Sequence, residues 1–144
     1  MKNFRKKIQI VTGSRAEYGL LRNLIRKLYN SNEFLLQLVA TGSHFSKEFG
    51  NTLNDIYDDG FKVDKKIHIL LDSNSKVGVT KSIGLGVISF AEYLEESNPD
   101  LIIILGDRYE MLSVAISALI AGIPIAHLHG GELTKAAYDD AIRH

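Results

Sequence analysis

The sequence predicts an open, doubly wound α/β fold, a parallel sheet with helices on both faces. Short apolar runs alternate with longer helical patterns from end to end, and Leu101 to Leu105 is an unbroken aliphatic run of the kind covered on both sides. No linker or composition shift divides the 144 residues, a usual size for one domain. Parallel strands joined by helical crossovers are right-handed in nearly all cases, which leaves few other arrangements.

Ile8, Ile10 and Val11 lie in a first strand, after a short basic run, Arg5-Lys6-Lys7, that reads as a solvated entry to the sheet. Leu20, Leu21, Leu24, Ile25 and Leu28 then form one apolar stripe of a helix. Ser14 and Glu17 have the spacing of a capping box at its start. Leu35 to Ala40 reads as a second strand, Phe45 to Tyr57 as a second helix, and Asp58-Asp59-Gly60 as a turn into a third strand over Val63 to Leu70. Asp72 to Thr80 reads as a polar, mobile loop, and Ile83 to Leu94 as a helix despite Gly84 and Gly86, each costing about 1 kcal/mol against Ala. Asn98-Pro99-Asp100 ends that helix. Leu101 to Leu105 is the central strand, Met111 to Ala121 a helix apolar almost all round, Pro124 to Leu128 a fifth strand, and Tyr138 onward a further helix.

Lys plus Arg equals Asp plus Glu at 17 each, so no global field favours nucleic acid or an anionic membrane. The chain has no cysteine, which removes disulfides, thiolate metal sites and a cysteine nucleophile, and points to a cytoplasmic setting. The apolar runs are shorter than the roughly 20 residues of a membrane span. The five histidines lack the spacing of a metal site.

Ligands of open α/β sheets bind beyond the carboxyl ends of the strands, and there the reactive residues fall. Thr12-Gly13-Ser14-Arg15, Thr41-Gly42-Ser43-His44, Gly106-Asp107-Arg108 and His129-Gly130-Gly131-Glu132 each follow a strand. The two Thr-Gly-Ser turns can present free amides to a phosphate or carboxylate, with Arg15 as an added cation, although each is also an ordinary turn with a serine cap. Asp107, after the most buried strand, is placed for acid or base work near neutrality, or for an ion pair with Arg108 that holds the loop; an Arg108–Glu110 pair would do the same. Glu132 sits two glycines from His129, a spacing that permits close approach to a ligand and that also suits a helix cap. Asp139 and Asp140 favour a helix start, and Arg143 is a ready i,i+3 partner for Asp140. His127 reads as a supporting histidine, and Gly84-Leu85-Gly86 is no dinucleotide fingerprint because it lies within a helical pattern.

These four blocks, with Asp139-Asp140-Ala141-Ile142-Arg143-His144, resemble in order and spacing the hydrolysing UDP-N-acetylglucosamine 2-epimerases of sialic acid and related nonulosonate biosynthesis. The resemblance implies the N-terminal Rossmann-like half of a two-domain, glycosyltransferase-B-like protein, residues 1–144, incomplete at its C-terminal end and lacking the nucleotide-binding domain. It implies a UDP-sugar substrate, loss of UDP with the C2 proton to give a glycal, and hydration to N-acetylmannosamine, with no cofactor and no metal. Asp107, Glu132 and one of Asp139 or Asp140, with Asp140 preferred, would be the catalytic carboxylates. Arg15, His44, Arg108, His129, Arg143 and His144 would bind substrate. The full-length form is expected to be a homo-oligomer, with neither nucleic acid nor membrane as partner. UDP-N,N'-diacetylbacillosamine, toward legionaminic acid, is the rival substrate. A non-hydrolysing epimerase and a glycosyltransferase of the same fold are rival activities. A stand-alone binding or signalling module of the flavodoxin-like kind is the rival from another class, and a phospho-accepting receiver of that kind would want acids where Thr12 to Arg15 stand.

Overall fold

The computed structural model describes residues 4–50, 52–69, 74–133 and 138–144. Five parallel strands, β1 (Lys6–Thr12), β2 (Phe34–Thr41), β3 (Lys65–Ile67), β4 (Leu101–Leu105) and β5 (Ile125–Leu128), form one sheet in the order β3-β2-β1-β4-β5. Helices α1 (Arg15–Tyr29) and α2 (Leu53–Asp58) cover one face, and α3 (Lys76–Ser97) and α4 (Tyr109–Ala121) the other. A short helix, α5 (Asp139–Arg143), follows β5.

Side chains alternate across a strand, so each strand feeds two cores. Ile8, Ile10, Leu38, Ala40, Ile103 and Leu105 meet Tyr18, Leu21 and Ile25 of α1 and Leu53 and Ile56 of α2. Val11, Val39, Ile67, Ile102 and Ile104 meet Phe90 and Leu94 of α3 and Met111, Val114 and Ala118 of α4. This double burial explains the unbroken apolar run of β4. The strand order reverses between β1 and β4, and that reversal makes the crevice where such sheets bind ligands.

Several elements differ from their sequence reading. The stretch Phe45 to Tyr57 is not one helix: a 3-10 turn, Gly42–Phe45, precedes the short α2, and Gly50 between them has φ +73°. Leu20 leaves the apolar stripe of α1, at 68% exposure, while Leu21 and Ile25 carry the packing. The third strand is shorter than Val63 to Leu70: it starts at Lys65, where the Asp64 side chain takes the Leu38 N–H, its Oδ2 accepting at 2.8 Å, and it ends at Ile67. Leu70 lies outside the described residues, as do Asp72 and Ser73 of the expected loop. The rest of that loop, from Lys76, is the first turns of α3, capped by Ser75, whose Oγ accepts from Gly78 N at 3.0 Å. At 22 residues α3 is long and apolar enough to cross a membrane by length and composition, beyond the shorter runs read from sequence, yet Phe90, Tyr93 and Leu94 are buried in the core. Gly84 and Gly86 lie within it, as the helical pattern requires.

Candidate functional site

All four strand exits open on one edge of the sheet. After β5 the chain turns through His129, at φ +57°, and Gly130, where an added Cβ would sit 2.6 Å from His127 Nδ1. Only glycine lets the backbone pass so near that ring. His127 Nε2 in turn donates to the Gly106 carbonyl at 2.6 Å, which ties the β5 exit to the β4 exit.

On this base four of the expected site residues converge. Arg143 Nε donates to Asp107 Oδ2 at 2.7 Å, and its Nη1 reaches Glu132 Oε2 and the His129 carbonyl, both at 3.3 Å. His129 Nδ1 meets Glu132 Oε1 at 2.7 Å. α5 is drawn to the turn by the Gly131 N–H, which donates to the Arg143 carbonyl at 2.8 Å. One guanidinium thus bridges two carboxylates from different loops. The His129 hydrogen bond, with Arg143 adding to it against a smaller opposing effect of burial, lowers the Glu132 pKa and favours its ionised form. The i,i+3 pairing of Arg143 with Asp140 gives way to these longer-range bonds, and Asp140 instead has His144 Nε2 at 3.8 Å.

The other expected residues lie apart from this cluster. Arg15 turns away from it, to Asp55 at 2.9 Å, in a shallow groove of about 240 Å³ shared with Tyr18, Arg22 and Asp59. Arg108 pairs with Glu110 through two hydrogen bonds, at 3.2 and 3.0 Å, so the loop-holding pair is Arg108–Glu110 and not Asp107–Arg108.

His44 is 1% exposed, with Nε2 2.9 Å from Thr12 Oγ1 and Nδ1 2.7 Å from Thr52 Oγ1. Thr12 spends its hydroxyl proton on the Ser14 carbonyl, so His44 donates through Nε2 and accepts through Nδ1. Burial pushes its pKa down to about 4 and keeps the ring neutral. It braces the first two turns and presents no charge to a ligand. Beside it, His44, Phe45, Lys47, Leu53, Lys66 and His68 line a wider groove of about 500 Å³.

Two acids at the crevice have structural settings that sequence alone does not reveal. Glu17 is 5% exposed, and its Oε2 accepts from Gly13 N at 2.6 Å, one residue earlier than a standard capping box. Glu110, fully buried, lies close enough to raise the Glu17 pKa. Their helix-start positions are the only sequence signal, and it reads equally well as capping. Among the described residues no group of three or more His, Asp or Glu side chains is arranged to hold a metal ion.

A family model for UDP-N-acetylglucosamine 2-epimerase matches residues 26–144. The chain belongs to that family. It is 49% identical over 97% of its length to the GDP/UDP-N,N'-diacetylbacillosamine 2-epimerase (hydrolyzing) of Campylobacter jejuni, and 42% identical over 96% to the polysialic acid biosynthesis protein P7 of Escherichia coli. It spans 36% of the length of each of these relatives. In fold it is similar to the crystal structure of the Neisseria meningitidis UDP-GlcNAc 2-epimerase bound to UDP-GlcNAc, with TM-score 0.80 and 22% identity over 95% of this chain and 37% of that one. For this member of the epimerase family the resemblance expected from the motifs therefore holds, as does the doubly wound parallel sheet.

Proposed function

We propose that this chain is the sugar-handling N-terminal domain of a two-domain hydrolysing 2-epimerase acting on a nucleoside-diphosphate-linked N,N'-diacetylbacillosamine. The observation that carries the chemistry is the bridge of Asp107 and Glu132 by Arg143 at the sheet edge. Epimerisation at C2 with loss of the nucleotide needs a base for the C2 proton and a group that later returns a proton to the opposite face. Glu132 is assigned the base and Asp107 or Asp140 the second role; the His129 and Arg143 contacts that lower the Glu132 pKa keep it ionised but weaken it as a proton acceptor, so substrate must loosen them for it to act. Removal of the C2 proton with cleavage of the C1–oxygen bond yields a glycal and the free nucleoside diphosphate. Water then adds hydroxyl to C1 and a proton to C2. Arg15, exposed at the start of α1, is available to the departing phosphates once it leaves Asp55.

The sugar follows from the 49% identical relative, and its name leaves either GDP or UDP as leaving group. This reverses the order that the motifs suggest, in which UDP-N-acetylglucosamine comes first; that sugar remains the second reading, supported by the family match. In a polypeptide of the relatives' length, proton NMR is expected to show release of free nucleotide and the 2-epimeric sugar from the diacetylbacillosamine donors in preference to UDP-N-acetylglucosamine. The opposite preference restores the second reading. Glu132→Gln is expected to lower turnover at least a hundredfold while the folded spectrum persists, in line with loss of a general base. Unchanged turnover removes Glu132 from the mechanism.

A further inference from the structure

We propose that buried Glu17 and Glu110, with the partly exposed Arg108, form an ionic cluster beneath the crevice, in which Glu17 is a protonatable positioning residue for the Gly13 and Gly42 turns. The inference rests on the fold and not on the identity of the sugar. Three turns that are distant in sequence meet there. From the β1–α1 turn, Gly13 donates its N–H to Glu17 and offers its carbonyl to both the N–H and the hydroxyl of Ser43, at 2.8 and 3.0 Å. From the turn after β2, Gly42 lies so near that an added Cβ would sit 2.5 Å from Glu110 Oε1 and 2.7 Å from the Gly13 carbonyl. From the β4–α4 turn, Arg108 holds Glu110 with two bonds.

The charges do not balance when all three groups are ionised. Two carboxylates face one guanidinium, and Glu17 Oε1, buried, has no hydrogen-bond partner among the described residues. On the β2 side His44, being neutral, adds no compensating charge. Burial first, and Glu110 after it, push the Glu17 pKa up to about 7, while the Gly13 N–H, Arg108 and Ser14 act the other way. A charge-assisted hydrogen bond is roughly twice as strong as a neutral one, so proton uptake loosens the grip of Glu17 on Gly13. Through the Gly13 carbonyl the change passes to Ser43. Uptake also removes a negative charge from below the turn, so an anion at the open edge is better accommodated by the protonated form.

Carbon-detected NMR of the Glu17 carboxyl in the 144-residue chain, with amide spectra of Gly13 and Ser43 over the same pH range, tests this. The expected result is one midpoint near 7 shared by all three signals. Glu17→Gln, which keeps an oxygen for the Gly13 N–H, is expected to abolish the amide titration. Glu110→Gln is expected to move the Glu17 midpoint down, since it removes a negative neighbour and frees Arg108. Should either variant fail to fold, the wild-type titration decides alone. A Glu17 midpoint near the ordinary 4.5, or Gly13 and Ser43 amides that ignore it, overturns the proposal. None of these readouts depends on turnover, so the result stands apart from the proposed activity.

Discussion

Gly130 shows how a single position sets the geometry of the edge. Its α-carbon faces the His127 ring, so Gly130→Ala forces a Cβ to within 2.6 Å of Nδ1 and 2.7 Å of Cγ. The ring cannot yield without breaking its bond to the Gly106 carbonyl, and the turn cannot yield without moving His129 and Glu132. Overpacking of this kind typically costs about 1–3 kcal/mol. Thermal unfolding of Gly130→Ala is therefore expected to show a lower Tm, and the His129 and Arg143 signals in NMR should shift together. Gly130 is legible in sequence as a close approach to a ligand, but its tightest neighbour is the protein's own histidine. Arg143 is harder to read. An i,i+3 acid on its own short helix offers a complete local explanation, and the pull of Asp107 and Glu132 from other loops becomes visible only in three dimensions.

At the scale of elements, periodicity finds the long ones and fails where one side chain or one glycine breaks a pattern. Phe45, Phe49, Leu53 and Ile56 have helical spacing, yet Phe49 is exposed and Gly50, in the left-handed region, ends any continuous helix between them. The sequence reads α3 too short because its first turns are largely exposed and polar, so the hydrophobic stripe begins later than the helix. Its two glycines differ in a way the sequence does not reveal. Gly84 faces open space, whereas a Cβ on Gly86 would sit 2.5 Å from Ser113 Oγ and 2.7 Å from Ser113 Cβ on α4. Gly84→Ala is thus expected to stabilise the chain by up to about 1 kcal/mol through helix propensity alone. Gly86→Ala gains the same propensity but pries α3 from α4, and a net loss is expected. Chemical denaturation of the two variants side by side checks this, and equal shifts would mean that the helices do not meet at Gly86.

For the whole molecule, Glu17 and His44, two of the buried ionisable groups at the crevice, oppose each other in the dependence of stability on pH. Glu17 has a folded pKa of about 7 against an ordinary 4.5, so the folded state binds more protons across that interval; its contribution is complete below 4.5 and is lost as pH rises through 7. His44 has a folded pKa of about 4 against 6.5, so the unfolded state binds more protons there; its contribution is complete above 6.5 and is lost as pH falls through 4. Between roughly pH 4.5 and 6.5 the slopes have opposite signs, and wild-type stability is expected to be nearly flat in that window. Glu17→Gln removes the glutamate contribution and keeps that of the histidine, so above about pH 4.5 its stability should climb with pH up to about 6.5 and then level. His44→Gln removes the histidine contribution and keeps that of the glutamate, so its stability should fall from about pH 4.5 to about 7. Urea unfolding at half-unit pH intervals reads both slopes. Parallel curves for wild type and Glu17→Gln would show that Glu17 titrates alike in the folded and unfolded chain, and with it would go the idea that the crevice is built around a proton.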